Sequence, residues 1–288
     1  MLSIIIPTMQ KDLEVLTKLL NQLQDSDCVG EIILIDNSSK GFSCNLSKVK
    51  VFVQKENLFV NPAWNLGIKL SSKDIPYFGI LNDDIIFPNN LFKNVDEFLS
   101  KDNSDVGLVG IDCVANTPKA QFDTYPNDTQ CSFEPINKLY GFFGSAFFGR
   151  KENYFVIPNE MKGFYGDLFL FTRNQQNHKQ NFVIKNLMVK HLESLTSHSS
   201  KKIKKLFKSD RKICIKHNGV EHQQLSFLQR LFSVTFYHNH YVFCLLGLKM
   251  KFKAARKYTS YAISIYKRYQ WIKSCCRFIG NYFSFFIL

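Results

Sequence analysis

Two acidic positions stand where apolar runs stop. Asp36 closes Ile33-Leu34-Ile35-Asp36-Asn37-Ser38, and Asn82-Asp83-Asp84 follows Tyr77–Leu81. Carboxylates held at the ends of buried segments can share a divalent cation, and hard oxygen ligands suit Mg²⁺ or Mn²⁺. Each position also has a plainer use: Asn-Asp-Asp makes turns well, and an Asp followed by Ser can cap a helix. His191 can ligate a metal through its neutral imidazole, or serve only in packing. Asp167 and Arg173 lie six residues apart, in Gly166-Asp167-Leu168-Phe169-Leu170-Phe171-Thr172-Arg173.

The elements that must hold these residues can be read from the apolar periodicity. Leu2–Ile6 is a continuous apolar run stopped by Pro7, the pattern of a strand buried on both faces. Leu13, Leu16, Leu19, Leu20 and Leu23 recur at helical spacing. Residues 31–35 and 49–54 read as strands, 61–70 as a helix with Pro62 in its first turn, 77–81 as a strand, 90–99 as a helix and 106–111 as a strand. This alternation predicts an α/β fold of the Rossmann-like type, a mainly parallel sheet flanked by helices. Ligands of such sheets bind beyond the carboxyl ends of the strands, so Asp36 and Asn82–Asp84 should face one crevice. Residues 112–140, rich in Asn, Asp, Thr and Pro, read as a long loop.

Charge divides the chain. The formal net charge is +13, yet residues 1–200 hold 19 Lys and Arg against 22 Asp and Glu, whereas residues 201–288 hold 18 against only Asp210 and Glu221. Ser197–Lys205 reads as a linker, which splits the chain into a catalytic domain at 1–196 and a basic, aromatic region at 197–288. Phe, Tyr, Leu and Ile alternate with Lys and Arg there, as in Phe227–Phe232, Lys249–Lys253 and Phe278–Leu288. Basic amphipathic helices with aromatic faces bind anionic membrane surfaces, so a mostly helical extension docking on a membrane is expected; a small helical core is the alternative. No apolar run reaches the ~20 residues that span a bilayer. Eight cysteines show no CxxC pairing, and the chain opens directly on a strand without a basic leader, which fits a reducing cytoplasm. Nucleic acid is not expected as a partner, because no nucleic-acid-binding motif accompanies the basic residues.

Taken in order, these motifs resemble the inverting glycosyltransferases of the GT-A fold, family 2. Ile4-Ile5-Ile6-Pro7-Thr8 and Ile33–Ser38 resemble that family's opening. Asn57, Asn61, Ala63, Asn65, Leu66 and Gly67 are similar to its Asn-rich segment, and Leu81-Asn82-Asp83-Asp84 to its DxD motif. Gly144-Ser145 with Phe147-Phe148 is similar to the acceptor-side strand, Gly166–Arg173 to the E-D-x-D-L-x-x-R segment, and His191 to the late metal-binding histidine. The likeness covers residues 2–195. Gly166 stands where the family usually has Glu, and Phe169 replaces the second acid.

The resemblance implies a sugar moved from a nucleotide-sugar donor, UDP-linked by preference, to a glycan acceptor. The transfer would be of the hexosyl or N-acetylhexosaminyl type. Pro7, Thr8, Asp36, Asn65, Asn82 and Asp83 would then bind the donor nucleotide, and Asp84 and His191 would hold Mn²⁺ or Mg²⁺. Asp167 would be the catalytic base, and Arg173 would steer diphosphate or act structurally. With the tail on the inner face of the cytoplasmic membrane, the acceptor would be lipid-linked, as in lipopolysaccharide, lipooligosaccharide or capsule synthesis. A non-catalytic nucleotide- or glycan-binding partner of an assembly complex is the main rival. A nucleotidyltransferase is disfavoured, since Pro7-Thr8-Met9-Gln10 is not a Gly-rich phosphate loop.

Overall fold

A computed structural model describes residues 1–101, 105–112, 115–139, 143–192, 201–218, 232–237, 240–245 and 248–253. The expected Tyr140-Gly141-Phe142 start of the acceptor-side stretch, the first four linker residues 197–200, and the aromatic runs at 227–231 and 278–288 lie outside these described residues. Two compact units are present, Met1–Val220 and Glu221–Leu288.

The first unit alternates strand and helix: β1 (Leu2–Thr8), α1 (Leu13–Gln24), β2 (Val29–Asp36), β3 (Val49–Val53), α2 (Val60–Leu70), β4 (Tyr77–Leu81), β5 (Ile85–Ile86), α3 (Leu91–Ser100) and β6 (Val106–Ile111). There follow β7 (Ala115–Thr117), β8 (Ser132–Ile136), β9 (Ala146–Arg150), α4 (Gly166–Gln176), β10 (Gln180–Lys185), β11 (Lys190–Leu192) and α5 (Lys201–Asn218). Eight strands form one sheet in the order β3-β2-β1-β4-β9-β6-β10-β8. Only β9 and the edge strand β8 run against the others. The mainly parallel α/β architecture expected from the sequence is therefore present.

Burial explains the unbroken apolar strands. Leu2, Ile4 and Ile6 of β1 pack with Leu16, Leu19, Leu20 and Leu23 of α1 and with Phe92, Val95 and Leu99 of α3. Ile5 points the other way, into a second core with Ala63 and Trp64 of α2 and Leu170 and Phe171 of α4. Successive strand residues face opposite sides, so a strand covered on both faces must be apolar at both.

Residues 112–140 are not the single loop that their composition predicts. β7 pairs with β11, and β8 closes the sheet edge against β10. Ser132-Phe133-Glu134-Pro135-Ile136 is mostly exposed and contains proline, which is admissible only on an edge strand. That is why no strong periodicity marks it.

The first unit also extends through α5, beyond the break expected near residue 196. α5 packs on α4, and its buried positions Asp210, Cys214 and Asn218 recur every fourth residue along one stripe. In the second unit the described residues form an antiparallel three-stranded sheet, β12 (Phe232–Tyr237), β13 (His240–Leu245) and β14 (Leu248–Lys253). The described part of the extension is thus helix at α5 and strand at β12, β13 and β14, where Val, Thr, Phe and Tyr favour the extended backbone. Residues 254–288 lie outside the description.

Close packing of α2 on β1 depends on Gly67, where a Cβ would collide with Ile5. Gly67→Val should cost about 3 kcal/mol, the upper end of ordinary overpacking. At roughly 2–4 °C per kcal/mol for a domain of this size, thermal unfolding should show a loss on the order of 6–12 °C.

Candidate active site

Parallel pairing delivers the acidic motifs to one edge of the sheet. In the β1–β2 register Thr8 lies opposite Asp36, and β4 lies on the other side of β1. β4 ends at Leu81, so Asn82-Asp83-Asp84 leaves the sheet beside the end of β1. Thr8 Oγ1 donates to Asp83 Oδ2 at 2.6 Å and accepts from the Gln10 amide at 2.8 Å. The Asn37 amide donates to the Thr8 carbonyl at 2.9 Å. Asp36 and Asp84 are therefore joined through Thr8 and Asp83 at one site.

β5 then turns the chain back through a small sheet in which β11 lies between β5 and β7. The register sets His191 opposite Ile85, one residue past Asp84. His191 Nε2 lies 3.3 Å from Asp84 Oδ1, and the Leu192 amide donates to the Asp84 carbonyl at 2.8 Å. A residue 107 positions away in sequence is thereby fixed against the acidic motif.

The cavity here has a volume of about 280 Å³ and an open mouth. Of the expected donor and metal residues, Pro7, Thr8, Asn82, Asp83 and Asp84 line it. Lys11, Asn37, Asn57, Phe59 and Trp64 line it as well. Lys11 is the only cation among the lining residues, a role for which the sequence offered no signal beyond its nearness to Pro7-Thr8. Trp64, buried in the second core against Phe147, also borders the cavity and lies in the Asn-rich segment noted above.

Three expected residues are placed elsewhere. Asp36 is fully buried and turned onto its own loop: it accepts from the Ser38 amide at 2.8 Å, the Ser38 hydroxyl at 2.6 Å and the Gly41 amide at 2.8 Å. Burial opposes its ionisation, but these hydrogen bonds prevail and hold its carboxyl below the ordinary range. Asp36 thus shapes the wall that presents Asn37 and is itself not on the lining. Asn65 is also displaced from the donor reading. Its Nδ2 donates to the Ile157 carbonyl at 2.8 Å, while its Oδ1 accepts from the Tyr154 hydroxyl at 2.9 Å and the Ile157 amide at 3.0 Å. Arg173 donates to the His217 carbonyl of α5 at 2.7 Å and lies over the Phe169 ring at 5.4 Å. Of its two expected roles, this contact belongs to the structural one.

Asp167 occupies the first turn of α4, where its Oδ1 accepts from the Leu168 amide at 2.8 Å. The turn Phe143–Ser145 connects it to the acidic motif. Ser145 accepts a backbone hydrogen bond from the Asn82 amide at 3.0 Å, and a Cβ on Gly144 would lie 2.9 Å from Asp167 Oδ2. A side chain at residue 144 would therefore have to displace the carboxylate from this position. Gly166, in place of the expected Glu, has a related cause: a Cβ there would collide with Asn61 Oδ1 and approach Trp64 Cζ3 to 2.8 Å.

The arrangement fits a divalent cation shared with a ligand better than a fully protein-built site. Among the described residues no group of three or more His, Cys, Asp or Glu could hold a metal by itself. Asp84 and His191 form a pair whose Asp84 Oδ1 and His191 Nδ1 are buried without hydrogen-bond partners. Buried polar atoms of that kind are uncommon and costly. Burial also pushes the Asp83 carboxyl above its usual range, as does the neighbouring Asp84 charge, against the Thr8 hydrogen bond. A cation would relieve each of these costs.

Backbone strain gathers nearby. Gln10, Ser39, Phe59 and Tyr165 have φ of 53°, 63°, 68° and 63°, in the loops after β1 and β2 and at the starts of α2 and α4. Left-handed non-glycine residues cost free energy and cluster at functional sites.

The family model for glycosyl transferase family 2 matches residues 3–174. Among solved structures, Staphylococcus aureus TarS residues 1–349 in complex with UDP-GlcNAc matches with a TM-score of 0.52 at 15% identity, covering 76% of this chain and 68% of that one. GalNAc-T7 with UDP, GalNAc and Mn²⁺ matches with a TM-score of 0.50 at 12% identity, covering 79% of this chain and 53% of that one. At these identities the likeness is one of fold. No curated protein sequence matches the chain.

A raised carboxyl pKa means that the folded protein holds its proton more firmly than the unfolded chain, so the cost of ionising Asp83 appears as pH rises through its raised pKa. A divalent cation bound beside Asp83 and Asp84 would cancel that cost. Stabilisation by Mn²⁺, read as a thermal shift, should therefore grow as pH rises above the ordinary carboxylate range and should vanish in Asp84→Ala.

Proposed function

The chain belongs to glycosyl transferase family 2, and from that membership we propose an inverting, divalent-metal-dependent transferase that moves a sugar from a UDP-linked donor to a lipid-linked glycan acceptor. The observation that carries this reading is the cavity at the ends of β1 and β4, with Asp83 and Asp84 on its wall and His191 against Asp84. The ligands of the two fold relatives, UDP-GlcNAc in TarS and UDP, GalNAc and Mn²⁺ in GalNAc-T7, favour a uridine nucleotide, a sugar of the N-acetylhexosamine type and Mn²⁺ over Mg²⁺.

In this reading Asp84 and His191 would hold a divalent cation, which when bound would supply positive charge against the departing diphosphate. Trp64 and Asn37 face the nucleoside, Thr8 and Asn82 fix its ribose end, and Lys11 adds positive charge at the mouth. Asp36 acts on the donor through the loop it holds.

Asp167 takes the acceptor hydroxyl proton as that oxygen attacks the anomeric carbon from the face opposite the diphosphate. The new glycosidic bond forms while the bond to the diphosphate oxygen breaks, and the diphosphate leaves with the electron pair. General-base action of this kind contributes roughly 10²–10⁴-fold.

The basic extension supplies the reason for a lipid-linked acceptor. α5 carries Lys201, Lys202, Lys204, Lys205, Lys208, Arg211, Lys212 and Lys216, all exposed, and Phe207 is 43% exposed among them. Each cation near an anionic bilayer contributes about 1 kcal/mol. Among the described residues no helix is long and apolar enough to cross a membrane. Peripheral attachment to the inner face of the cytoplasmic membrane, with a product in lipopolysaccharide, lipooligosaccharide or capsule, follows from this reading.

A screen of nucleotide sugars with Mn²⁺ should return one UDP-sugar that stabilises the protein and turns over with a lipid-linked glycan. Asp167→Asn should lower transfer at least 100-fold, in line with loss of a general base, with donor affinity kept. Tight donor binding without turnover in the wild type would favour the binding-partner reading instead.

The membrane reading is checked separately by flotation. The full chain should float with vesicles containing phosphatidylglycerol in 0.1 M salt and stay behind with pure phosphatidylcholine. Recovery in the pellet with both would remove the attachment.

A further inference from the structure

α5 contains one acid among its eight Lys and Arg residues, and that acid is fully buried. A carboxylate withdrawn from water is costly unless hydrogen bonds replace its solvation. Asp210 meets three consecutive backbone donors. Its Oδ1 accepts from the Lys162 amide at 3.2 Å, and its Oδ2 accepts from Gly163 at 2.8 Å and Phe164 at 3.0 Å. These donors belong to the loop immediately before α4, where amides have no helical partner and must find acceptors elsewhere.

The same loop is gripped from its other side. The Asn61 amide at the start of α2 donates to the Lys162 carbonyl at 2.9 Å, and Asn61 Nδ2 donates to the Phe164 carbonyl at 3.0 Å. Phe207 of α5 packs against the Phe164 ring at 5.2 Å and the Tyr165 ring at 5.0 Å. Tyr165 then takes its left-handed turn, with φ of 63°, and its carbonyl accepts from the Phe169 amide at 2.8 Å to open α4. Asp167 is two residues beyond that turn. The position of its carboxylate is thus set by a strained backbone held between Asn61 and Asp210.

We infer that Asp210 is a positioning residue for Asp167, through which α5 completes the acceptor side of the catalytic unit. The inference rests on the reading of Asp167 as the proton acceptor. Packing alone would be served by an apolar residue in this stripe, as at Cys214; a buried carboxylate is explained by the three amides. Without it the three loop amides lose their carboxylate acceptor, and the turn at Tyr165 is left with the Asn61 hydrogen bonds and the Phe207 contact. A displacement of about 1 Å at a reacting group is enough to lower a rate on the order of 100-fold. The cavity, lined by residues at the ends of β1 and β4, after β2, at the start of α2 and in β11, does not include any residue of α5.

The test compares Asp210→Ala, Asp210→Asn and Ile213→Ala in the full-length chain. Ile213 packs on the same core without touching the loop amides, so its variant reports simple loosening of α5. Asp210→Ala should lower kcat about 10–100-fold with the donor KM, and the affinity for UDP with Mn²⁺, within twofold of wild type. Asp210→Asn keeps one acceptor oxygen and should recover part of that loss. Ile213→Ala should lower the melting temperature without a matching fall in kcat.

Wild-type kcat in Asp210→Ala, alongside an inactive Asp167→Asn, would overturn the inference and leave the proposed function standing. Equal losses of kcat in Asp210→Ala and Ile213→Ala at equal loss of melting temperature would overturn it too, by reducing Asp210 to a packing role. Wild-type turnover in Asp167→Asn would remove the proton acceptor, and both readings with it. Should Asp210→Ala not fold, Asp210→Asn decides alone: a lowered kcat at unchanged UDP affinity supports the inference, and an unchanged kcat refutes it.

Discussion

Parallel pairing of β1 between β2 and β4 is the constraint on which the rest depends. Three strands running the same way end at the same edge, so whatever follows each of them meets the others. Thr8 ends one, Asp36 the next, and Asn82–Asp84 follows the third. The pairing is enforced from both faces: a one-residue slip of β1 would exchange Ile5 for Ile4 and Ile6 and push each into the wrong core. The location of the acidic groups is thus fixed by apolar packing many ångströms from the chemistry.

That packing holds together groups that would not associate on their own. Asp83 and Asp84 are adjacent carboxylates, one of them desolvated enough to resist ionisation, and Asp84 faces a histidine with unpaired polar atoms on both sides. Four nearby residues hold left-handed backbone. A fold at its free-energy minimum for packing alone would avoid these features. Their concentration at one edge is what a charged ligand bridging through a cation would compensate, since opposite charge favours the ionised carboxylates.

Strands β1, β2, β4 and β6 were legible because both of their faces are buried, and α1 and α3 because each carries a single apolar stripe, patterns that follow from period alone; β3, half-exposed, and the two-residue β5 carry no such mark. The order of the acidic motifs and their placement at strand ends was legible for the same reason. Side-chain direction was not. Asp36 and Asn65 have the residue types of donor ligands, yet their polar atoms satisfy backbone groups, nearby at Ser38 and Gly41 for Asp36 and distant in sequence at Ile157 for Asn65. Asn and Asp serve turns and ligands equally well, and sequence does not separate the two. β8 escaped notice because an exposed edge strand needs no apolar alternation, and the long-range restraint of Asp210 on residues 162–164 leaves no mark on local periodicity.

α5 shows why charge composition alone misplaces a domain boundary. Its eight cations assign it to the basic tail, but one face of any helix can be wholly polar while the other is buried. The buried stripe of Asp210, Cys214 and Asn218 joins it to α4, and Arg173 returns the contact by donating to the His217 carbonyl near its C-terminus. The family match ends at residue 174, within α4, so His191 and α5 both lie beyond the matched stretch while bearing on it. His191 reaches back to Asp84 through β11, and Asp210 reaches back to the loop before α4. A charged segment appended to a catalytic fold would need neither contact to remain soluble. Two such returns, one to the metal-ligand candidate and one to the loop before α4, tie β11 and α5 to the site.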